Sequence, residues 1–159
     1  MSNNTQSTLG DYFSSSRVKG REGLPLLSVT LNDGLIDRND LERRTETNLL
    51  PEDHLLVRKG DIAFNMMRMW QGAFGLSQKD GLVSPAYIVL NPKKNTDSLY
   101  ASYLFKTQRM IYLFWAYSYG ITNDRLRLYF NDFKKIPAHF PEIKKQTKIA
   151  KILSTWDKA

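Results

Sequence analysis

The chain has no cysteine and only two histidines among its 159 residues. Without cysteine it can form neither disulfides nor thiolate metal sites, and this composition fits a reducing compartment. His54 and His139 are far apart in the sequence, and neither has a partner at a metal-ligand spacing. We therefore expect no zinc or iron site in this chain.

The motifs of cofactor and group-transfer chemistry are also missing. Gly72 and Gly75 are too few for a phosphate-binding loop, and no Gly-Lys-Ser/Thr follows them. An Asn/Asp-Pro-Pro-aromatic loop of amino-methyltransferases and a Gly-x-Ser-x-Gly nucleophile motif do not occur. A nuclease site could combine Pro51-Glu52-Asp53 with Glu142-Ile143-Lys144, but the second segment follows a proline and begins a helix. The sequence thus predicts a non-catalytic chain without a cofactor of its own.

Long hydrophobic runs are absent as well. Arg and Lys interrupt every apolar stretch before it reaches the roughly 20 residues that a membrane span needs. The first five residues are polar, with no basic segment leading into an apolar one, so we expect no secretion signal. These features predict a cytoplasmic protein that does not enter a membrane.

What the sequence does have is positive charge, and that charge is unevenly distributed. The net charge is +7. Residues 1–53 carry 6 Lys and Arg against 9 Asp and Glu, whereas residues 54–159 carry 17 against 7. A basic field of this kind attracts polyanions such as nucleic acid. The alternative is a basic surface that only keeps the protein in solution.

Apolar patterns predict mostly strands in the first two thirds of the chain. Residues 24–31 form a buried strand that the turn Asn32-Asp33-Gly34 ends, and residues 35–53 form a loop with at most a short helical turn. Further strands are predicted at 54–57, 62–66, 73–76 and 82–90. Pro85 cannot donate to a ladder, so the last of these has an edge, a bulge or a break there.

Helical periodicity begins at Ser98. Residues 98–117 form one helix, which Asp97 or Ser98 caps and Gly120 ends. Its many aromatic residues favour core packing over a platform for stacking bases. A second helix follows Pro141. One face of it carries an apolar stripe within about a 100° arc, formed by Ile149, Ile152, Leu153 and Trp156.

Four segments, in this order and spacing, resemble the target-recognition domain of a type I restriction-modification specificity subunit. They are Leu26-Leu27-Ser28-Val29-Thr30 with Asp33-Gly34; residues 57–65 around Gly60-Asp61-Ile62; Gln71-Gly72-Ala73 leading to residues 81–87 around Ser84-Pro85; and residues 141–153. Each piece alone is weak, since Gly-Asp and Ser-Pro occur by chance. Together they cover nearly the whole chain.

The resemblance implies an α+β fold: a twisted, mainly antiparallel sheet with flanking helices, followed by the start of a long C-terminal spacer helix. Residues 1–139 would be the DNA target-recognition domain and residues 140–159 the beginning of the spacer. The implied function is sequence-specific recognition of double-stranded DNA, which directs methyltransferase and endonuclease subunits to a target half-site. S-adenosylmethionine, ATP and Mg would belong to those partner subunits. A second recognition domain would lie in the same or another chain, in a prokaryotic cytoplasm.

DNA sequence is read by forked or amide donors that reach base edges, whereas phosphates only position the protein. Three loops carry such donors: Arg38, Arg43 and Arg44; Arg68, Trp70 and Gln71; and Asn123, Arg125 and Arg127. The last two loops are the stronger candidates, because acidic neighbours could pair with Arg43 and Arg44. The predicted phosphate contacts are Lys59, Lys79, Lys134 and Lys135.

The same resemblance makes the apolar stripe a surface for docking other subunits. An alternative function, from a different class, is a non-catalytic protein-interaction domain whose basic surface is incidental. The salt dependence of duplex binding distinguishes the two, because a DNA reader loses affinity steeply as salt rises.

Overall fold

A computed structural model describes residues 6–38, 49–122 and 125–157. Within these ranges the strands are β1 (Phe13–Ser16), β2 (Leu27–Val29), β3 (Leu35–Asp37), β4 (Leu55–Val57), β5 (Ile62–Asn65), β6 (Phe74–Leu76), β7 (Gly81–Val83) and β8 (Tyr87–Pro92). The helices are α1 (Ser98–Phe105), α2 (Gln108–Ala116), α3 (Phe130–Phe133) and α4 (Ile143–Asp157).

The strands form one four-stranded sheet, in the order β1-β8-β5-β6, and two two-stranded ladders, β2-β3 and β4-β7. All of these strand pairs are antiparallel. Helices α1, α2 and α3 lie against the four-stranded sheet and share its core, whereas α4 contacts α1. The predicted α+β class with mainly antiparallel pairing is confirmed.

The first hairpin corrects the predicted loop after residue 34. Strand β3 lies inside that loop and pairs with β2, with Leu27 opposite Asp37 and Val29 opposite Leu35. The segment Asn32-Asp33-Gly34 is a hairpin turn, in which Gly34 has a φ of +67°. Gly tolerates this conformation without strain. A short helical turn does occur, at Pro51–Asp53.

The predicted strand at 82–90 is interrupted at Pro85, as the missing N–H of proline predicts. Strand β7 pairs with β4, whereas β8 belongs to the four-stranded sheet. The N–H of Tyr87 donates to the carbonyl of Ser84 at 3.0 Å, and this turn directs the chain from one sheet to the other. The single predicted strand is therefore two strands with different partners.

Strand β1 was not predicted, because Ser14-Ser15-Ser16 gives almost no apolar signal. It is an edge strand of the large sheet, with Phe13 opposite Pro92 in β8. Phe13 is buried, whereas Ser14 and Ser15 are exposed. The side chain of Phe13 thus anchors this edge strand to the core.

The predicted single helix at 98–117 is two helices. Asp97 caps α1 by accepting the N–H of Tyr100, as predicted. The side chain of Thr107 accepts the N–H of Met110 and so begins α2. Helix α2 ends at Ala116, before Gly120. A good N-cap residue in the middle of a helical pattern explains the break.

The core is centred on Phe133 of α3. Its ring lies 5.5 Å from that of Phe64 in β5, and 6.0 and 6.2 Å from those of Phe105 and Phe114 in α1 and α2. The predicted packing role of the aromatic residues in 98–117 holds for Phe105 and Phe114. Residues Tyr112 and Trp115 of α2 are instead exposed.

Helix α4 packs on the domain through a face that differs from its apolar stripe. Gln146 and Ala150 are its buried residues. Ile152 and Trp156 of the stripe are 50% and 74% exposed, whereas Ile149 is half-buried. The domain of this chain therefore leaves most of the stripe uncovered.

Candidate nucleic-acid interface

The four-stranded sheet has two ends that carry different loops. Strand β5 runs from Ile62 to Asn65 and pairs antiparallel with β6 and β8. We call the end beyond Asn65 the loop end; it holds residues 66–72, 84–86, 118–122 and 125–129. The opposite end, which we call the lysine end, holds residues 58–61, 77–80 and 91–94. The two ends of β5 are ~10 Å apart at the usual rise of a strand.

The middle loop, residues 66–72, is held firmly at the loop end. Met69 is fully buried and anchors a short 3-10 turn, and Gly72 ends this turn with a φ of +88°. Arg68 is exposed, and its Nε donates to Oε1 of Gln71 at 3.1 Å. The indole N–H of Trp70 donates to the carbonyl of Met67. The loop thus presents an arginine and a glutamine side by side.

The late loop, of which residues 118–122 and 125–129 are described, lies next to the middle loop. The N–H of Leu128 donates to the carbonyl of Met66 at 2.8 Å, which joins the two loops. Tyr119 and Arg127 exchange backbone hydrogen bonds at 2.8 and 2.7 Å and close the late loop at its base. Arg125 and Arg127 are both exposed. Two of the three predicted base-reading loops are thus brought together.

A surface concavity of about 460 Å³ opens at the late loop. It is lined by Tyr119, Gly120, Ile121, Thr122, Arg125, Arg127 and Tyr129. Two arginines therefore line it together with aromatic and aliphatic residues. A second concavity, of about 480 Å³, lies between the β2-β3 hairpin, β6 and α1, and lacks such an arginine pair.

Most of the other predicted DNA contacts lie away from the loop end. Lys59 and Lys79 are at the lysine end, where Lys79 is 3.4 Å from the carboxylate of Asp37. Lys134 reaches the same end, since its carbonyl accepts the N–H of Gly10. Lys135 follows it in sequence and is exposed. The structure therefore separates the proposed phosphate contacts from the proposed base contacts.

The predicted first loop is only partly described. Arg38 is half-buried, and its Nε donates to Oγ of Ser28 at 3.2 Å. This bond ties Arg38 to the β2-β3 hairpin and reduces its freedom to reach DNA. Arg43, Arg44 and the late-loop Asn123 lie outside the described residues.

Sequence reasoning missed several side chains at the loop end. Arg17, just after β1, donates from Nη2 to the carbonyl of Pro85 at 3.0 Å. Tyr119, Ile121 and Tyr129 are exposed around the late loop. No local pattern marks Arg17, but large apolar residues within a polar loop are a signal for the other three.

The Gly60-Asp61-Ile62 segment has a structural role. Gly60 has a φ of +93°, and a carboxylate oxygen of Asp61 accepts the N–H of Arg58 at 2.9 Å. Burial raises the pKa of the Asp61 carboxyl, although Arg58 and the side chain of Asn91 favour its charged form. The motif thus builds the turn that leads into β5 and does not form part of the loop end.

Among the described residues, no group of three or more His, Cys, Asp or Glu could hold a metal ion. In the same part of the chain, no helix combines the length and apolar character that crossing a membrane requires.

A sequence model of the family described as "Type I restriction modification DNA specificity domain" matches residues 9–159. The chain belongs to this family. A specificity domain is the non-catalytic, DNA-binding part of a type I system, and S-adenosylmethionine and ATP are bound by other subunits. The predicted family and the predicted lack of catalysis are therefore confirmed. No curated protein sequence matches the chain.

Solved structures show the same fold for this specificity domain. The crystal structure of the HsdS subunit from Thermoanaerobacter tengcongensis matches with a TM-score of 0.59 and 14% identity, over 95% of this chain and 36% of that one. A chain from a structure on complex assembly and conformational transition of the type I R-M system matches with a TM-score of 0.60 and 10% identity, over 96% and 37%. The specificity domain spans about a third of the length of each.

Proposed function

We propose that this specificity domain reads the base sequence of duplex DNA with its loop end. The observation that carries the proposal is the hydrogen bond between Leu128 and Met66, which joins two loops that each present exposed arginine. Arg68, Arg125 and Arg127 thereby lie at one end of the sheet. Arginine donates in a forked geometry that matches the guanine edge in the major groove, and Gln71 can match adenine in the same way.

The proposed role of the lysine end is contact with the DNA backbone. In this proposal β5 lies across the major groove, so that the lysines at its other end meet phosphates. The ~10 Å length of β5 is close to the ~12 Å width of the groove, which allows this placement. A duplex whose groove receives the loop end can then place a backbone strand beside Lys59, Lys79 and Lys134. These contacts would position the protein and would not discriminate sequence.

The domain works, in this proposal, as one part of a larger assembly in the prokaryotic cytoplasm. It recognises one half-site, and a second recognition domain in the same or another chain recognises the other. Residues 140–159 begin a spacer whose outward stripe, Ile149, Ile152, Leu153 and Trp156, docks a methyltransferase subunit. The endonuclease subunit joins the full complex.

Two alanine variants test whether the loop end contacts bases and the lysine end contacts phosphates. Arg127→Ala should weaken specific binding by roughly 1–3 kcal/mol and relax specificity at one base position. Lys134→Ala should weaken binding to all sequences. It should also reduce the slope of log K against log salt concentration by about one, because one phosphate contact is lost. Titration of the assembled complex with specific and scrambled duplexes at several salt concentrations measures both effects.

Lys148→Ala is the matched control, because this exposed lysine lies on α4. It should change neither specificity nor the salt slope. The loop end would not be the reading surface if Arg127→Ala bound both duplexes like the wild type. A binding constant that does not change with salt concentration in any variant would favour a protein-interaction domain instead.

A further inference from the structure

Ile121 is the most exposed large apolar side chain among the described residues, with 100% of its surface accessible. It lies in the late loop between Gly120 and Thr122. A single exposed aliphatic residue is common on a protein surface and needs no explanation alone. Here, however, Tyr119 and Tyr129 are exposed beside it and line the same concavity. The loop end therefore combines apolar surface with positive charge.

Backbone hydrogen bonds restrain the described residues of the late loop. The backbone hydrogen bonds between Tyr119 and Arg127 close its base, and the N–H of Arg125 donates to the carbonyl of Thr122 at 3.0 Å. A Cβ atom at position 120 would lie 2.5 Å from the carbonyl oxygen of Arg125, so only glycine fits. Such preorganisation lowers the entropy lost on binding. The backbone on either side of Ile121 is thus restrained, while its side chain is fully exposed.

The surroundings of Ile121 indicate what it contacts. Arg125 and Arg127 share its concavity and would each reach a guanine edge. On the base edges of the major groove, the apolar group is the 5-methyl of thymine. An aliphatic side chain beside two forked donors therefore matches a thymine next to the guanines.

We propose that Ile121 is a specificity-determining residue that contacts the 5-methyl group of a thymine in the target half-site. The inference rests on the proposed function, and it adds an apolar contact to the polar ones. It requires no distortion of the duplex, in contrast to an apolar wedge inserted between base steps.

The test replaces each thymine of the half-site in turn by deoxyuridine, which lacks the methyl group. The probe is a duplex obtained by binding-site selection, bound to the chain assembled with its partner subunits. For the wild type, one replacement should weaken binding about fourfold, the effect of one buried methyl. For Ile121→Ser, thymine and deoxyuridine at that position should bind equally. Ile143→Ser, at an exposed isoleucine of α4, should keep the wild-type difference.

The inference is overturned if no replacement separates the wild type from Ile121→Ser. It is also overturned if Ile121→Ser weakens every duplex by the same factor with the wild-type sensitivity to deoxyuridine retained, which would indicate a wedge between base steps. In both cases the sensitivity of specific binding to Arg127→Ala would persist, and the proposed function would stand. Loss of the proposed function is recognised separately, because the wild type would then not discriminate between selected and scrambled duplexes.

Discussion

Replacing Gln146 with methionine is expected to lower the free energy of unfolding by about 3 kcal/mol, because it removes three hydrogen bonds that contribute about 1 kcal/mol each. Gln146 is fully buried. Its Oε1 accepts the N–H of Asp97 at 2.8 Å, and its Nε2 donates to the carbonyls of Asn95 and Pro141, both at 2.8 Å. Methionine has a similar length and no amide, so it keeps the packing and removes all three bonds.

Thermal unfolding measures this effect, with an expected fall in Tm of roughly 6–12 °C for a domain of this size. Thr147→Val is the matched control. The hydroxyl of Thr147 bonds the same Asp97 at 3.0 Å, but at an exposed position. Its loss should cost less than about 1 kcal/mol. Equal losses in the two variants would show that Gln146 does not fix α4 to the domain.

The second large effect concerns assembly. Ile152→Ser combined with Trp156→Ser should leave the domain folded, because both side chains are mostly exposed in this chain. Binding to the methyltransferase subunit should weaken at least about a hundredfold, since each side chain buried at an interface contributes about 1.5–3 kcal/mol. Size-exclusion chromatography and calorimetry with that subunit measure the loss, and thermal unfolding checks the fold.

A control for the double variant lies on the same helix. Lys148 and Lys151 are exposed on α4 outside the stripe, and their joint change to serine should leave assembly intact. An unfolded domain in the stripe variant would mean that the stripe belongs to the core of this domain. A folded variant that still assembles would show that the spacer docks through another face.

Local patterns in the sequence predicted the family and much of the fold. The missing N–H of Pro85 required an interruption of the strand, and the carboxylate of Asp97 marked the beginning of α1. Both effects are confined to neighbouring residues, so one sequence suffices to see them. The four motif segments could be recognised in the sequence for the same reason. Gly60-Asp61 and Gly72 build turns whose geometry depends on few residues.

Elements that depend on distant partners could not be predicted in this way. Strand β1 exists because β8 offers it an edge, and Ser14 and Ser15 carry no sign of that edge. Strand β3 has half-buried residues and a charged end, and only its pairing with β2 reveals it. The periodicity of α4 marked an apolar stripe, of which Ile152 and Trp156 are the most exposed residues. It could not show that the domain packs against the face of a polar residue, Gln146.

In the candidate site, too, residue types could be predicted from the sequence, whereas their arrangement depends on distant partners. Arg68, Arg125 and Arg127 were chosen as candidates by residue type, because only some side chains can read a base edge. Their grouping depends on a hydrogen bond between residues 66 and 128, which no local pattern encodes. Arg17 joins the loop end through the pairing of β1 with β8 and through its bond to Pro85.

The most direct test of the central claim is binding-site selection from random duplexes with the assembled complex. The wild type should enrich one recurrent half-site pattern. Arg125→Ala and Arg127→Ala should each enrich a pattern relaxed at one position, where the missing guanidinium no longer distinguishes guanine. Enrichment of the same pattern, equally strongly, by all three proteins would contradict the claim that the loop end reads DNA sequence.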